Sequence, residues 1–280
     1  MRVLVTGARG QLGTDLVPLL DPHEVLAVDL PELDVTDRAL VLGALHEFGP
    51  DVVINCAALT AVDDCESEVD LAYNVNAMAV RNLAEGCRRV GAHLTTISTD
   101  YVFDGTKDGP YVEWDPPCPV SVYGASKLAG EIEAGPDATI VRTAWVCGEH
   151  GANMVKTILR LLGEHDTLTF VDDQVGHPTL VSDLAPVVRQ LSIEKRPGVF
   201  HVTNQGSVSW FEFAREVAIA VGADPERVSP CATADLQPPR PAPRPANSVL
   251  DNMAWRLHGF PESRDFREPL AEAVAALADM

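Results

Sequence analysis

The chain has 280 residues, of which 46% are hydrophobic, and its formal net charge is −20. This size allows one large α/β domain, or one domain with a smaller lobe. The negative charge argues against nucleic acid or an anionic membrane as a partner, and it requires a local group of basic side chains for any phosphate ligand.

Three features of the composition point to a cytoplasmic protein. No apolar run approaches the ~20 residues of a membrane span. Met1 leads directly into an apolar stretch at 2–5, so we expect no signal peptide. The six cysteines are scattered without a Cys-x-x-Cys pair, which predicts reduced thiols rather than disulfides or a zinc site.

A glycine-rich loop follows the first predicted strand. Residues 2–6 form a short apolar run, Gly7-Ala-Arg-Gly10-Gln-Leu-Gly13 comes next, and helical periodicity extends from Thr14 to Leu20. In such a unit the first glycine permits a tight turn, the second lets the backbone approach a pyrophosphate, and the third lets the helix pack on the strand. The helix N-terminus adds N–H groups and a positive dipole end. The pattern predicts a dinucleotide site.

The second predicted strand, 25–28, bears on the choice of coenzyme. It ends at Asp29, about 20 residues after the first glycine, where a carboxylate accepts hydrogen bonds from the adenosine ribose hydroxyls. This position favours NADH. Arg9 in the glycine loop has two equally weighted interpretations, a cation that faces the 2′-phosphate of NADPH or a solvated loop arginine. The choice between NADH and NADPH therefore stays open.

Three further strands alternate with helices, which is the order of a doubly wound parallel sheet. We predict strands at 51–56, 92–98 and 138–142 and helices at 67–90 and 123–133, with Thr36 as the N-cap of a helix that ends at Phe48. Small residues at 57–60 and the segment 98–100 follow the third and fourth strands, at the sheet edge where ligands bind. Asn74 and Asn76 are either polar groups near the cofactor or structural amides.

Tyr123 and Lys127 lie four residues apart on a predicted helix, hence one turn apart on one face. A nearby ammonium favours the phenolate of tyrosine, whose reference pKa is near ~10. Such a pair suits proton delivery to an oxygen as a carbonyl is reduced. The pair alone is weak evidence, but the chain has only four lysines, and the glycine loop supplies a nucleotide.

The periodicity loosens after Trp145. We predict a Rossmann domain at 1–145 and a smaller α/β substrate-binding lobe at 146–280, with chain crossings between the two. Helices are expected at 153–162, 182–191, 209–221 and near the C-terminus, and strands at 168–171 and 199–203. Arg240 and Arg244 lie between prolines, in a segment that is either a linker or a stiff support for guanidinium groups that meet a diphosphate. Trp145 is either a core aromatic or a sugar-stacking residue.

Several stretches, in chain order, resemble the dTDP-4-dehydrorhamnose reductase family of the extended short-chain dehydrogenase/reductase superfamily. Besides the glycine loop they are 57–63, 98–105, 123–131, 142–148, 173–179, 209–214 and 244–248. Those at 98–105 and 142–146 are the more specific to the family. The resemblance implies a Rossmann-type fold and reduction of the C4 ketone of dTDP-4-dehydro-L-rhamnose to dTDP-L-rhamnose by NADH or NADPH.

The resemblance also implies roles for individual residues. Tyr123 would be the proton donor, Lys127 its activator and a ribose ligand, and Thr99 a hydroxyl beside the carbonyl. The cofactor would be lined by Gly7, Gly10, Gln11, Leu12, Gly13, Asp29, Asp34, Val35, Ala57, Ala58 and Leu59, together with Tyr123 and Lys127. The dTDP-sugar would be lined by Thr60, Val62, Asp100, Trp145 and Arg244. Leu59, Ala144 and Cys147 depart from residues that are frequent in the family, which alters the pocket wall but removes no catalytic group.

Two other functions are open. One is a nucleotide-sugar epimerase or 4,6-dehydratase, but a dehydratase typically has an Asp-Glu pair after the threonine, whereas Thr99 is followed by Asp100 and Tyr101. The other is a non-catalytic regulatory subunit that binds NADP, for which Tyr123 and Lys127 would be dispensable.

The expected partner is a small-molecule dTDP-sugar, with neither nucleic acid nor membrane involved, and the expected state is a monomer or homodimer. Magnesium-linked dimers occur among relatives of this family. The sequence gives no support for Mg²⁺ here, because Asp15 alone indicates no metal site and no ligand cluster is evident.

Overall fold

A six-stranded parallel sheet forms the centre of the protein, seen in a computed structural model that describes residues 1–278. Its strands are β1 (Arg2–Thr6), β2 (Glu24–Val28), β3 (Val52–Asn55), β4 (His93–Thr99), β5 (Thr139–Thr143) and β10 (Gly198–His201). Their order is β10-β5-β4-β3-β1-β2, and every neighbouring pair is parallel. The predicted α/β class with a doubly wound parallel sheet is confirmed.

Helices cover both faces of this sheet. One face carries α1 (Gln11–Leu19) and α8 (Val181–Ile193), and the other carries α2 (Arg38–Phe48), α5 (Ala79–Val90) and α6 (Val122–Ala134). Successive side chains of a strand point to opposite faces. Accordingly Val3 and Val5 belong to the core beneath α1 and α8, while Leu4 belongs to the core beneath α2 and α5. Apolar residues on both faces explain why the central strands read as continuous hydrophobic runs.

The predicted long helix at 67–90 is interrupted. The structure has α3 (Val62–Ser67), α4 (Val69–Tyr73), a π-helical turn at Asn74–Met78, and then α5. Within the turn, the Asn76 amide nitrogen donates to Leu59 O and Ser126 Oγ, each at 3.0 Å, and its Oδ1 accepts from Leu59 N at 2.9 Å. Asn76 is therefore a structural amide that ties the loop after β3 to α6.

The prediction that Thr36 is the N-cap of α2 is wrong. The cap is Asp37, whose carboxylate accepts from Ala39 N at 2.8 Å and Leu40 N at 3.1 Å. Thr36 instead donates its hydroxyl to Asp34 at 2.7 Å. Aspartate and threonine both serve as N-caps, so the sequence leaves the choice between neighbouring positions to the exact entry of the chain into the helix.

A second layer of short elements packs beside the sheet. They are β6 (Val146–Cys147), α7 (Met154–Glu164), β7 (Leu168–Val171), β8 (Val175–Gly176), β9 (Thr179–Leu180), β11 (Val208–Ser209), α9 (Trp210–Ala220), β12 (Val228–Cys231) and α11 (Arg267–Ala278). Helix α10 (Met253–Leu257) packs instead on β10 of the central sheet. Single 3₁₀ turns occupy Asp100–Val102, Pro225–Arg227 and Thr233–Asp235. Ile158, Phe213, Val217 and Phe266 are fully buried in the core of this layer.

The chain returns to the large sheet after residue 146. The strand predicted at 199–203 is β10, which pairs with β5 at the edge of the central sheet, and α8 packs on α1. Residues 181–201 thus complete the Rossmann-type fold. The division of the chain at residue 145 stays a prediction. The last two residues of the predicted second lobe, 279 and 280, lie outside the described residues.

Helix α6 packs unusually closely on its neighbours. A Cβ added at Gly124 would lie 2.1 Å from Tyr101 O, and one at Gly130 would lie 2.1 Å from Asn76 O. Backbone therefore meets backbone at both positions, with no side chain between. This contact fixes the placement of Tyr123 and Lys127, which lie on the same helix.

All six cysteines are free thiols. Within residues 1–278, every helix is too short or too polar to cross a bilayer.

Candidate active site

The glycine loop lies at the carboxyl end of β1, where the sheet changes direction. Strand β2 pairs with one side of β1 and β3 with the other, so this is the switch point at which open α/β sheets bind ligands. Gly7 has φ of 66°, and a Cβ there would lie 2.5 Å from Ala57 N. A Cβ at Gly13 would lie 2.3 Å from Gly7 O. The loop therefore requires glycine at both positions and leaves the N-terminus of α1 uncovered.

A cavity of about 610 Å³ extends from this loop to α6, and we call it the reaction chamber. Twelve of the predicted site residues line it: Gly10, Gln11, Leu12, Ala57, Ala58, Thr60, Val62, Thr99, Asp100, Tyr123, Lys127 and Trp145. Gln11 Oε1 is buried in its wall and finds no partner among the described residues, although Gln11 Nε2 donates to Ala152 O at 3.1 Å. A bare helix N-terminus, an unpaired acceptor and this volume fit a dinucleotide.

Tyr123 lies in the wall of the reaction chamber, 9% exposed, one residue after the start of α6. Burial raises the pKa of its phenol above the ordinary value, a hydrogen bond with Thr99 lowers it in part, and the nearby Asp100 charge raises it. The ring packs edge-on against Tyr101 with centroids 5.6 Å apart. A buried phenol with a raised pKa therefore keeps its proton in the resting protein.

Lys127 is buried one turn further along α6. Its ammonium donates to the Ile97 carbonyl at 2.6 Å, and burial lowers its pKa to about 8, an effect that the Glu131 charge opposes. Lys127 is therefore charged at neutral pH and loses its proton as the pH rises through about 8. Thr99 is the hydrogen-bond partner that lowers the Tyr123 pKa, so the predicted activation of Tyr123 by Lys127 stays a prediction.

Thr99 and Asp100, at the end of β4, are polar residues in the wall of the reaction chamber. The Thr99 hydroxyl donates to Asp100 Oδ1 at 2.9 Å and accepts from Tyr101 N at 3.2 Å. Burial raises the pKa of Asp100 to about 6 against the hydrogen bonds of Ser248 and Thr99. Of the described residues that line the chamber, Asp100 alone carries a carboxylate.

The region after β2, which the sequence predicts to select the coenzyme, contains a residue that the sequence did not single out. Asp29 accepts from Arg9 N at 2.9 Å and from Leu30 N at 2.8 Å. The Arg9 guanidinium donates to Leu30 O at 2.6 Å and forms a two-point ion pair with Glu32, which holds the pKa of Glu32 below its usual value. Glu32 thus pairs with the Arg9 guanidinium, and the nearby Asp29 carboxylate leaves an excess of one negative charge in this region.

Seven predicted site residues lie outside the reaction chamber. Gly7 and Gly13 lie in the glycine loop and allow its close backbone packing. Asp34 accepts two hydrogen bonds from Thr36, Val35 packs into the core beneath α2, and Leu59 is bound through its backbone by Asn76. The cofactor contacts assigned to these residues and to Asp29 stay predictions. Arg244 lines a different cavity.

That second cavity, of about 680 Å³, is called the second chamber. It combines apolar side chains such as Phe170 and Leu168 with Gln174, Arg240 and Arg244. Its lining and that of the reaction chamber share two of the described residues, Tyr101 and Trp210, so the two cavities adjoin.

Arg244 is held in place by Asp63. Its Nη1 and Nη2 donate to the two Asp63 oxygens at 3.0 and 2.9 Å, and the side chain is 16% exposed. The Arg240 guanidinium lies 3.6 Å from the same carboxylate. Two arginines therefore face one carboxylate at the edge of the second chamber, which leaves excess positive charge there in a strongly acidic protein.

Trp145, two residues after the end of β5, has a left-handed backbone, with φ of 45°. Its indole stacks on Trp210, with centroids 3.6 Å apart and planes at 9°. Trp210 was given no role from the sequence, although its stretch 209–214 carries part of the family resemblance. Trp145 and Trp210 are 65 residues apart, so local periodicity in the sequence does not predict that they stack.

Within residues 1–278 no group of three or more His, Cys, Asp or Glu side chains is placed to hold a metal ion. Asp15 pairs instead with His150, Oδ1 to Nε2 at 3.3 Å.

Comparisons with known proteins extend this picture over the whole chain. The family model described as RmlD substrate binding domain matches residues 1–279. A dTDP-4-dehydrorhamnose reductase of Streptomyces griseus is 46% identical, with 99% of this chain and 94% of the relative covered. A Streptomyces antibioticus protein, named a probable dTDP-4,6-dihydroxy-2-methyloxan-3-one 4-ketoreductase, is 44% identical over 98% and 94%. A crystal structure of dTDP-4-dehydrorhamnose reductase from Bacillus anthracis in complex with NADP superposes with a TM-score of 0.93 at 39% identity, covering 98% of this chain and 99% of that one.

The fold, the glycine loop and the helix that carries Tyr123 and Lys127 define an oxidoreductase of the extended short-chain dehydrogenase/reductase type, which uses NADH or NADPH. Within that class, the chain belongs to the dTDP-4-dehydrorhamnose reductase family. The resemblance predicted from the sequence is confirmed.

Proposed function

We propose that this protein reduces the C4 ketone of dTDP-4-dehydro-L-rhamnose to dTDP-L-rhamnose with NADH or NADPH. The observation that carries the proposal is the convergence of Tyr123, Thr99 and Lys127 on the chamber that also contains the glycine loop. The name of the Streptomyces griseus relative supports the substrate.

Each catalytic side chain has one task in this reduction. The bound nicotinamide supplies a hydride to carbon C4. The Tyr123 hydroxyl donates its proton to the ketone oxygen, so that an alcohol results. Thr99, a hydrogen-bond partner of Tyr123, orients the phenol and the ketone oxygen. Lys127, charged at neutral pH, stabilises the phenolate that burial disfavours.

Two alternatives are weighed against the chamber. Dehydration needs an acid and a base beside the ketone, and the chamber wall described here offers Asp100 alone as a carboxylate. A non-catalytic subunit does not account for a Tyr–Thr pair and a buried lysine in one cavity. Another dTDP-4-keto sugar stays open as substrate, since the Streptomyces antibioticus relative is named for one.

The decisive assay follows NADH and NADPH oxidation with dTDP-4-dehydro-L-rhamnose and identifies the product by NMR. We expect oxidation of both coenzymes and formation of dTDP-L-rhamnose. Oxidation with a different dTDP-4-keto sugar but not with this one would replace the substrate, and no oxidation with either would remove the reductase function. A dTDP-sugar as partner, a monomeric or homodimeric state and a cytoplasmic location remain part of the proposal.

Replacing Asp29 by Ala should improve NADPH relative to NADH. The substitution removes one of the two carboxylates beside the ribose site, which repel a 2′-phosphate. Because the groups are exposed, we expect a change of about two- to fivefold in the ratio of kcat/KM values. Glu32→Gln should act in the same direction by releasing Arg9. An unchanged ratio in both variants would show that this region does not select the coenzyme.

Replacing Arg244 by Ala should weaken binding of dTDP. A guanidinium fork matches phosphate oxygens, and a hydrogen bond to a charged group contributes ~1.5–3 kcal/mol, or about tenfold to hundredfold in affinity. NADH affinity should not change, because the glycine loop lies on the other side of the reaction chamber. Calorimetry with dTDP and NADH separately measures both.

The matched control for this experiment is Asp63→Asn. It breaks the same ion pair but leaves the guanidinium free for phosphate. If Arg244 only anchors its proline-rich segment, both variants should behave alike. Equal dTDP affinity in Arg244→Ala and the parent would return the segment to the role of a linker.

A further inference from the structure

An indole stack lies at the junction between the two chambers. Trp145 lines the reaction chamber, while Trp210 lines both chambers, with the two rings parallel and their centroids 3.6 Å apart. Tyr101 is the other residue found in both linings. A ligand that occupies both chambers at once therefore passes Trp210 and Tyr101.

Trp145 has little free surface for a ligand in this arrangement. Trp210 covers one face of its indole. On another side, a Cβ added at Gly176 would lie 2.7 Å from Trp145 Cε2, so the backbone there is already in contact. Gly176 pairs with Val208, and the same short ladder leads directly into Trp210. If Trp210 moves away, the face of Trp145 that it covers becomes available to a sugar ring.

We propose that Trp210 is a substrate-contacting residue, and that it leaves its stack on Trp145 when the hexose of a dTDP-sugar enters the reaction chamber. The inference rests on the proposed function. With its diphosphate near Arg240 and Arg244 and its C4 ketone near Tyr123, a dTDP-sugar extends through both chambers. Movement of Trp210 opens that passage and uncovers the face of Trp145 that the sequence predicts to stack on the sugar.

The local structure allows the side chain to move without the helix. Trp210 is the first residue of α9, and the helix start is held by a capping box in which Ser209 Oγ accepts from Glu212 N at 3.1 Å and Glu212 accepts from Ser209 N at 2.8 Å. The backbone is thereby fixed one residue before the indole and two residues after it, so rotation about the side-chain bonds suffices.

Circular dichroism tests the movement, because two closely stacked indoles whose transition dipoles are twisted relative to each other give an exciton couplet. We expect the couplet in the free protein, its loss in Trp145→Phe and in Trp210→Phe, and its persistence in Trp114→Phe, whose indole is 65% exposed at the surface. Addition of dTDP-L-rhamnose should abolish the couplet along the binding curve measured by calorimetry. NADH or dTDP alone, which lack the hexose, should leave it in place.

The outcomes separate this inference from the function on which it rests. Binding of dTDP-L-rhamnose with an unchanged couplet overturns the movement of Trp210 and leaves the reductase function standing. Failure to bind dTDP-L-rhamnose removes the substrate assignment and the inference together. Loss of the couplet with NADH alone also overturns the inference, since the hexose would not be the cause.

Steady-state kinetics test the contact itself. Trp210→Ala should raise KM for the dTDP-sugar about tenfold, the size expected when an aromatic contact is lost, and leave KM for NADH unchanged. Trp210→Phe, which keeps an aromatic face, should restore most of the affinity. A purely structural role predicts that KM for both substrates rises together, and that result would overturn the contact.

Discussion

Tyr123→Phe should fold normally and lose about 10²–10⁴ of its turnover, the range expected for removal of a general acid. The substitution keeps the ring and its edge-on packing against Tyr101, and it deletes only the hydroxyl that bonds Thr99. Single-turnover measurement of NADH oxidation isolates the chemical step, and the far-ultraviolet spectrum and thermal midpoint report on the fold. Near-normal turnover would take Tyr123 out of the mechanism.

Tyr111→Phe is the matched control for this change. Tyr111 is also buried, and its hydroxyl donates to Asp104 at 2.9 Å, outside both chambers. Loss of a hydroxyl there should affect stability rather than turnover. A similar drop in both variants would indicate that the loss in Tyr123→Phe reflects general damage.

Glu131→Ala should strongly destabilise the protein. Glu131 accepts from Arg142 Nε at 2.9 Å and Nη2 at 2.7 Å and also from the Ser98 hydroxyl, with the two charged side chains 5% and 4% exposed. Removal leaves the Arg142 charge buried without its carboxylate, which costs about 3–5 kcal/mol. Urea unfolding followed by fluorescence measures the free energy of unfolding.

Glu133→Ala supplies the control on the same helix. Glu133 forms a similar two-point pair with Arg81, at 2.6 and 2.5 Å, but the partners are 25% and 51% exposed. Solvent screens a surface pair, so the loss should be a small fraction of that at Glu131. Equal losses of unfolding free energy in the two variants would mean that burial does not strengthen the Glu131–Arg142 pair.

Local patterns predicted the parts of this protein that local physics determines. The strand–glycine–helix unit, the alternation of strands with helices and the Tyr123/Lys127 spacing all follow from neighbouring residues. Twelve of the predicted site residues line one chamber for that reason, since the carboxyl ends of parallel strands meet at one edge.

The missed features depend on contacts between distant parts of the chain. The strand at 198–201 belongs to the central sheet because it pairs with β5, about 60 residues earlier, and no local signal distinguishes it from a strand of the second layer. Glu32 matters through its pair with Arg9, and Trp210 through its stack on Trp145. Arg244 lines the second chamber, and its contact with a diphosphate stays a prediction; its partner Asp63 precedes it by 181 residues, so the ion pair has no local signal.

The close packing of α6 limits how this protein can be engineered for heat resistance. Replacing a helical glycine by alanine commonly stabilises a protein by about 0.5–1 kcal/mol. Gly43 and Gly163, where an added Cβ meets no described atom within 4 Å, are open to that strategy. Gly124 and Gly130 are closed to it, because the methyl group would clash with Tyr101 O or Asn76 O and displace the helix that carries Tyr123. Thermostable variants should therefore be sought on α2 and α7.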